Sequence, residues 1–289
     1  MKEKISKIYN LFVGKELGIL PGNLAYSFFL AVIPILSILF YFLTSFHLSS
    51  DFLQDFLVKT FPPSVVNFLH PVFSNNITTE SFLTLCLSIV VMTNGCNAII
   101  VASNTIFNFD NANYFRRMIK SLFLSIIIII LIAFMLIVPL FGRSIINLIG
   151  HFTSFIAMNQ EFIDKLYTLL QIPVSLIVMF IIIKLVYIIA PDEKINSRYV
   201  NKGAAFTTVS WLLVTVGFSY YINNIARFDR VYGNLANIAI LLFWLYILAY
   251  IFVIGLYLNK QDVEKGIEKT NTIKLEEIRR RVKEEQTKE

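Results

Sequence analysis

The chain is 289 residues long, 56% of them hydrophobic and only 15% charged, with a mean hydropathy of +0.69. Soluble domains run at about 25% charge and roughly 45 to 50% apolar residues, so a water-soluble enzyme is excluded at the outset. The net charge of +6 does not call for nucleic acid, because the basic residues lie almost entirely between apolar stretches, where they suit anionic lipid headgroups.

Residues 1–22 come first. Ile5, Ile8, Tyr9 and Phe12 recur at helical spacing, with Lys2, Lys4, Lys7 and Lys15 on the flanks. This predicts a cytoplasmic amphipathic helix in the inner interface and no cleavable signal peptide.

A helix needs about 20 apolar residues to cross the roughly 30 Å hydrocarbon core. Six stretches qualify, at 24–46, 82–107, 121–141, 166–190, 204–222 and 235–258. The predicted fold is an all-α polytopic bundle, with a six-span domain over 23–259 and a charged cytoplasmic tail over 260–289. Nineteen of the 25 Lys and Arg fall on one side of these spans and five on the other, with Lys184 inside the fourth. Positive residues resist translocation, so both termini are expected in the cytosol of a bacterial plasma membrane.

In the first span Asn23, Ser27, Pro34 and Ser37 share a face, with Tyr26 beside them. Pro34 removes the helical partner of the Leu30 carbonyl, and the expected kink either opens a cavity or serves packing. The outer loop from His47 to Glu80 predicts two short helices around Pro62 and Pro63, acting as a cap or as a lid. The second span carries the strongest polar pattern: Asn94, Asn97, Asn104 and Asn108 lie on one helix face, widened by Thr93 and Ser103. These amides either bond neighbouring helices or line a hydrated path for a polar headgroup. Cys86 and Cys96, ten residues apart in that span, read as buried apolar thiols.

The third span is interrupted near Pro139 and Gly142. Lys184 in the fourth stands six residues from Ala190, about 9 Å along the axis, so it either snorkels to the inner headgroups or contacts an anion in an inward-facing cavity. No Asp or Glu falls in any of the six spans, which argues against proton or sodium coupling through membrane carboxylates. Before the sixth span, Gly233 permits a tight turn and Asn234 can cap the helix. In the tail Leu275, Ile278 and Val282 mark a mixed-charge helix, solvated by default and open to docking. Glu276 with Arg280 and Glu277 with Arg281 form i,i+4 pairs there. His47, His70 and His151 lack second ligands at metal spacing, and no catalytic or nucleotide-binding motif is present, so neither a cofactor nor a catalytic residue is expected.

Taken in order, a set of landmarks resembles the YihY/BrkB family of bacterial inner-membrane proteins, once misnamed ribonuclease BN. They are Leu24-Ala25-Tyr26 with Pro34, Asn104, Pro191, Gly203-Ala204, Trp211, Phe218 to Tyr221, Tyr232-Gly233, Trp244-Leu245-Tyr246, Gly255 and Leu258-Asn259. Two positions depart from the family pattern: Ala31 stands where serine is frequent, and Gly255-Leu256-Tyr257-Leu258-Asn259 lacks the glutamate of Gly-Ala-Glu-Leu-Asn. The resemblance implies a six-span envelope protein that transports or translocates a lipid-like molecule. The asparagine face, the kinked first span and the positive inner rim place the expected path at Tyr26, Pro34, Asn94, Asn97 and Asn104, with Lys184 as inner anionic contact, while the resemblance marks Tyr232, Gly233, Trp244 and Gly255 as structural motif. Membrane lipids are the expected partners, with a homo-oligomer left open. The alternatives are a non-transporting envelope scaffold and, remotely, a ribonuclease.

Overall fold

In a computed structural model the chain is described over residues 15–45, 58, 81–132, 160–224 and 236–286. Among these residues every regular element is helical and none is a strand. Helix α1 is Lys15–Ser45, α2 is Ser81–Phe107, α3 covers 114–132 and α4 is Gln160–Ile189. A 3-10 turn at Ser197–Val200 leads into α5, Asn201–Asn224, and α6 is Ala236–Gln286. Ile89–Phe107, Ser197–Ile222 and Ile238–Glu268 are long and apolar enough to cross a membrane, while Gly18–Val32 and Pro173–Ile189 are shorter apolar helices.

α2 and α5 coincide with the second and fifth expected spans to within three residues at each end. α1 and α6 overrun theirs. The boundaries expected at 22/23 and 259/260 fall inside continuous helices: past Asn259 the flank is rich in Glu, Lys and Arg, which are good helix formers, while α1 runs from Lys15 through Gly18, Pro21 and Gly22. The expected amphipathic helix before residue 15, the outer-loop helices apart from Val58, the break at Pro139 and Gly142, the three histidines, Tyr232 and Gly233 lie outside the described residues.

α6 occupies the centre and packs against α1, α2 and α5, while α4 packs against α5. Phe252 is its hub: the rings of Tyr187, Phe28 and Trp211 approach it with centroids at 4.8, 6.4 and 6.4 Å. Aromatic pairs of this kind are worth about 0.5 to 1.5 kcal/mol each beyond the area they bury. Hydroxyls on these apolar helices bond back to their own backbone, as Thr93 does to the Ile89 carbonyl at 2.7 Å and Ser103 to Ile99 at 2.8 Å. Both side chains are buried and satisfied in this way, so they do not widen the amide face.

Small residues set the helix spacing. A β-carbon added to Gly95 would lie 3.3 Å from both the Ser27 carbonyl oxygen and the Ala31 β-carbon, so α1 and α2 touch nearly backbone to backbone. Ala31 thus occupies this contact where the resembled family frequently has serine. At Gly203 a β-carbon would land on the Gly255 carbonyl and the Asn259 amide, and at Gly255 on the Thr207 and Tyr187 hydroxyls. Glycine at both positions lets α5 cross α6 within reach of side-chain bonds. The Gly203 N–H donates to Asn259 Oδ1 at 2.7 Å, and the Trp211 Nε1–H to the Leu248 carbonyl at 2.9 Å. Tyr187 on α4 joins the same seam, donating its hydroxyl hydrogen to the Phe252 carbonyl at 2.8 Å, with its oxygen 2.8 Å from the Thr207 hydroxyl.

Candidate functional site

α2 ends in a left-handed cap. Asn108 has φ of 58°, and the amides of Phe109 and Asn108 return to the carbonyls of Asn104 and Thr105 at 2.9 and 3.4 Å. This is the bonding of a Schellman ending with asparagine in place of the usual glycine, and Phe107 and Phe109 pack ring to ring across it at 5.7 Å. The cap turns the chain so that residues 109–113 lie against the loop that follows α4.

Asn104 joins the two loops. Its Nδ2 donates to Asp192 Oδ2 at 2.6 Å and to Asn111 Oδ1 at 3.1 Å, while its Oδ1 accepts the Asp192 amide at 2.8 Å. The Asp192 Oδ2 also accepts the Ala112 amide at 3.1 Å, and its Oδ1 accepts Lys120 Nζ at 2.9 Å. Lys120 donates as well to the Pro191 carbonyl. Burial raises the Asp192 carboxyl, but the Lys120 bond and charge together with the Ala112 and Asn104 donors outweigh it and hold the group below the usual carboxylate range. Both carboxylate oxygens are engaged. Chemically this cluster is a clamp on the ends of α2 and α4 and the start of α3.

The other expected residues separate by depth. Asn104 is fully buried in the clamp, Asn97 is half-buried, and Asn94 is exposed. Asn94 stands at the midpoint of α2, with thirteen residues on either side. Tyr26, 59% exposed, flanks Ser27 as Asn94 flanks Gly95, so both open onto the surface beside the tight α1–α2 contact. Pro34 is buried, and α1 continues through it. Lys184 is half-buried with its ammonium 5.9 Å over the Phe180 ring, apart from the amides. Trp244 and Gly255 are buried in α6, Gly255 at the α5 crossing.

Sequence reasoning passed over Asp192 and counted Lys120 only as a positive charge. The available signal was an acid immediately after Pro191, at the end of an apolar helix. Tyr187 gave no signal distinct from other apolar aromatic residues. Among the described residues no three His, Cys, Asp or Glu side chains gather in a metal-binding arrangement.

Relatives were found over most of the chain. The protein YfkH of Bacillus subtilis (strain 168), named ribonuclease-like, is 26% identical over 264 residues, covering 90% of this chain and 93% of its own. A UPF0761 membrane protein of Aliivibrio salmonicida (strain LFI1238) is 24% identical over 280 residues, covering 93% and 88%. Another of that name in Vibrio atlanticus (strain LGP32) is 24% identical over 238 residues, covering 81% and 74%. No solved structure matches the chain. The model of the Virulence factor BrkB family matches residues 11–275, and this membrane protein belongs to that family.

Proposed function

We propose that this protein threads the bacterial plasma membrane six times, with both termini cytosolic, and carries an amphipathic or lipid-linked molecule without hydrolysing ATP. The observation that carries the reading is the exposure of Asn94 at the midpoint of α2. Thirteen residues of helix put it about 20 Å from either end, at the centre of a spanning helix. An amide facing hydrocarbon with no partner costs several kcal/mol, so its natural neighbour is water or the polar part of a passing molecule. The exposed Tyr26 phenol beside the same helix contact extends that polar opening.

The clamp carboxylate has both oxygens committed to Asn104, Ala112 and Lys120 and takes no part in the proposed path. The test is flip-flop of NBD-labelled phosphatidylglycerol and phosphatidylethanolamine in proteoliposomes, read by dithionite quenching. The wild-type chain is expected to accelerate exchange and the Asn94→Leu/Asn97→Leu variant to slow it at least fivefold. No acceleration by the wild type, or an undiminished rate in the variant, overturns the proposal.

A second reading, a scaffold for envelope assembly, draws on the unbroken run of α6 for 27 residues past Asn259 to Gln286. It predicts partner co-purification that depends on those residues, with no flux.

A further inference from the structure

We infer that the elbow between α2 and α3 is a binding site for an anionic phospholipid of the inner leaflet; this rests on the spanning reading above. Tyr114 and Phe115 open α3 with 69% and 75% of their surface exposed. Isolated exposed aromatics are ordinary, but these head a continuous stripe. Phe115, Ile119, Phe123, Ile126 and Ile130 are all exposed along one side of α3, the face that acyl chains would cover. The aromatic pair therefore sits where hydrocarbon gives way to headgroups, the depth at which amphipathic rings are favoured.

Charge at that depth is positive and uncommitted. Arg116 and Arg117 follow the aromatics in the first turn of α3, and Lys194 and Arg198 stand on the loop that the Asn104–Asp192 clamp holds against the elbow. Among the described residues none of these four forms an ion pair, whereas Lys120 is neutralised by Asp192 and Lys202 by Asp262 at 2.7 Å. Asp110 and Glu193 are the opposing acids in these two segments and leave the balance positive. Arg117 adds a second sign of a missing acceptor, because its Nε is buried and has no hydrogen-bond partner. A phosphodiester over the first turn would receive the guanidinium donors of Arg116 and Arg117, while its chains run down the α3 stripe. The clamp's rigidity gives it a role here, since it fixes the elbow that presents the pair.

Full-length protein in nanodiscs of defined phosphatidylglycerol and phosphatidylcholine content, with bound lipid read by native mass spectrometry, tests this. The wild type is expected to retain phosphatidylglycerol over phosphatidylcholine. At about fivefold per basic residue, Arg116→Gln/Arg117→Gln loses that preference by about 25-fold, and Arg116→Lys alone retains it. Arg116 is exposed, so Arg116→Gln alone gives a folded control with about a fivefold loss. Equal retention of the two lipids by the wild type, or no loss in either glutamine variant, overturns the site. Carbonate extraction separates this from the parent reading: a wild type that stays in the membrane pellet while failing the lipid test overturns the site alone, and one released by carbonate overturns both.

Discussion

Asn104 meets three acceptor and donor demands with one short side chain, and leucine at that position would meet none of them. Its removal leaves the Asp192 amide without its partner and Asp192 Oδ2 with the Ala112 amide alone, in a part-buried corner. A stranded buried polar group costs about 1 to 3 kcal/mol, more beside a charge, so Asn104→Leu is expected to destabilise the protein by about 3 kcal/mol. The check is thermal unfolding in detergent; a melting temperature equal to wild type would mean that the clamp does not stabilise the fold. Acid should undo the clamp in a defined direction. The Asp192 carboxyl is held below its unfolded value of about 3.9, so its stabilisation is complete above that pH and is lost as pH falls through the folded value. Asp192→Asn should therefore melt below wild type at pH 7, and the gap should narrow as pH falls below about 3.9. Parallel curves across that range would remove Asp192 from the acid response.

At the scale of helices, glycines sort by what surrounds them. Gly203→Ala would drive a methyl into the Gly255 carbonyl and Asn259, forcing α5 away from α6 and breaking the Gly203–Asn259 and Trp211–Leu248 bonds. Overpacking of this kind costs about 1 to 3 kcal/mol, occasionally more. Gly217 faces open space in the same helix, so Gly217→Ala should be neutral or stabilise by up to about 1 kcal/mol through helix propensity. Comparing the two by thermal melting isolates the crossing, and equal effects would mean that the close approach is unimportant. Hydrophobic length makes α2 and α5 legible in the sequence, because apolar runs bounded by polar loops have definite ends. The crossing residues were named only as landmarks of a resemblance, since spacing within one helix says nothing about which partner it meets. Asn104 was legible as a polar side chain at a costly depth, but its partner Asp192 lies 88 residues away, beyond the reach of local pattern.

Across the whole molecule, contacts gather the ends of α2 and α4 with the starts of α3 and α5 and the middle of α6. The bonds from Asn104 and Lys120 to Asp192, from Gly203 to Asn259 and from Lys260 to Asn108 at 3.4 Å all lie at this end. Charge counting puts the loops carrying these residues on one side, and the alternate threading proposed above would gather them in this way. The tail is where sequence and structure part. At 51 residues α6 is about 76 Å long, far more than a bilayer requires, and its first turns past Asn259 are packed. Val263 is 1% exposed, Ile267 lies against the core, Gly266 sits under the Tyr199 ring, and Asp262 pairs with Lys202. A mixed-charge sequence reads as solvated because its few apolar residues are widely spaced, yet Val263 and Ile267 are four apart and face one side. Truncation after Glu268 should therefore leave the melting temperature near wild type. Truncation after Asn259 strips both apolar contacts and the Lys202–Asp262 pair, and should cost about 3 kcal/mol or more, since one fully buried aliphatic side chain contributes about 1.5 to 3 kcal/mol. If both truncations melt alike, residues 260–268 are passengers of the helix and the tail begins at the membrane surface.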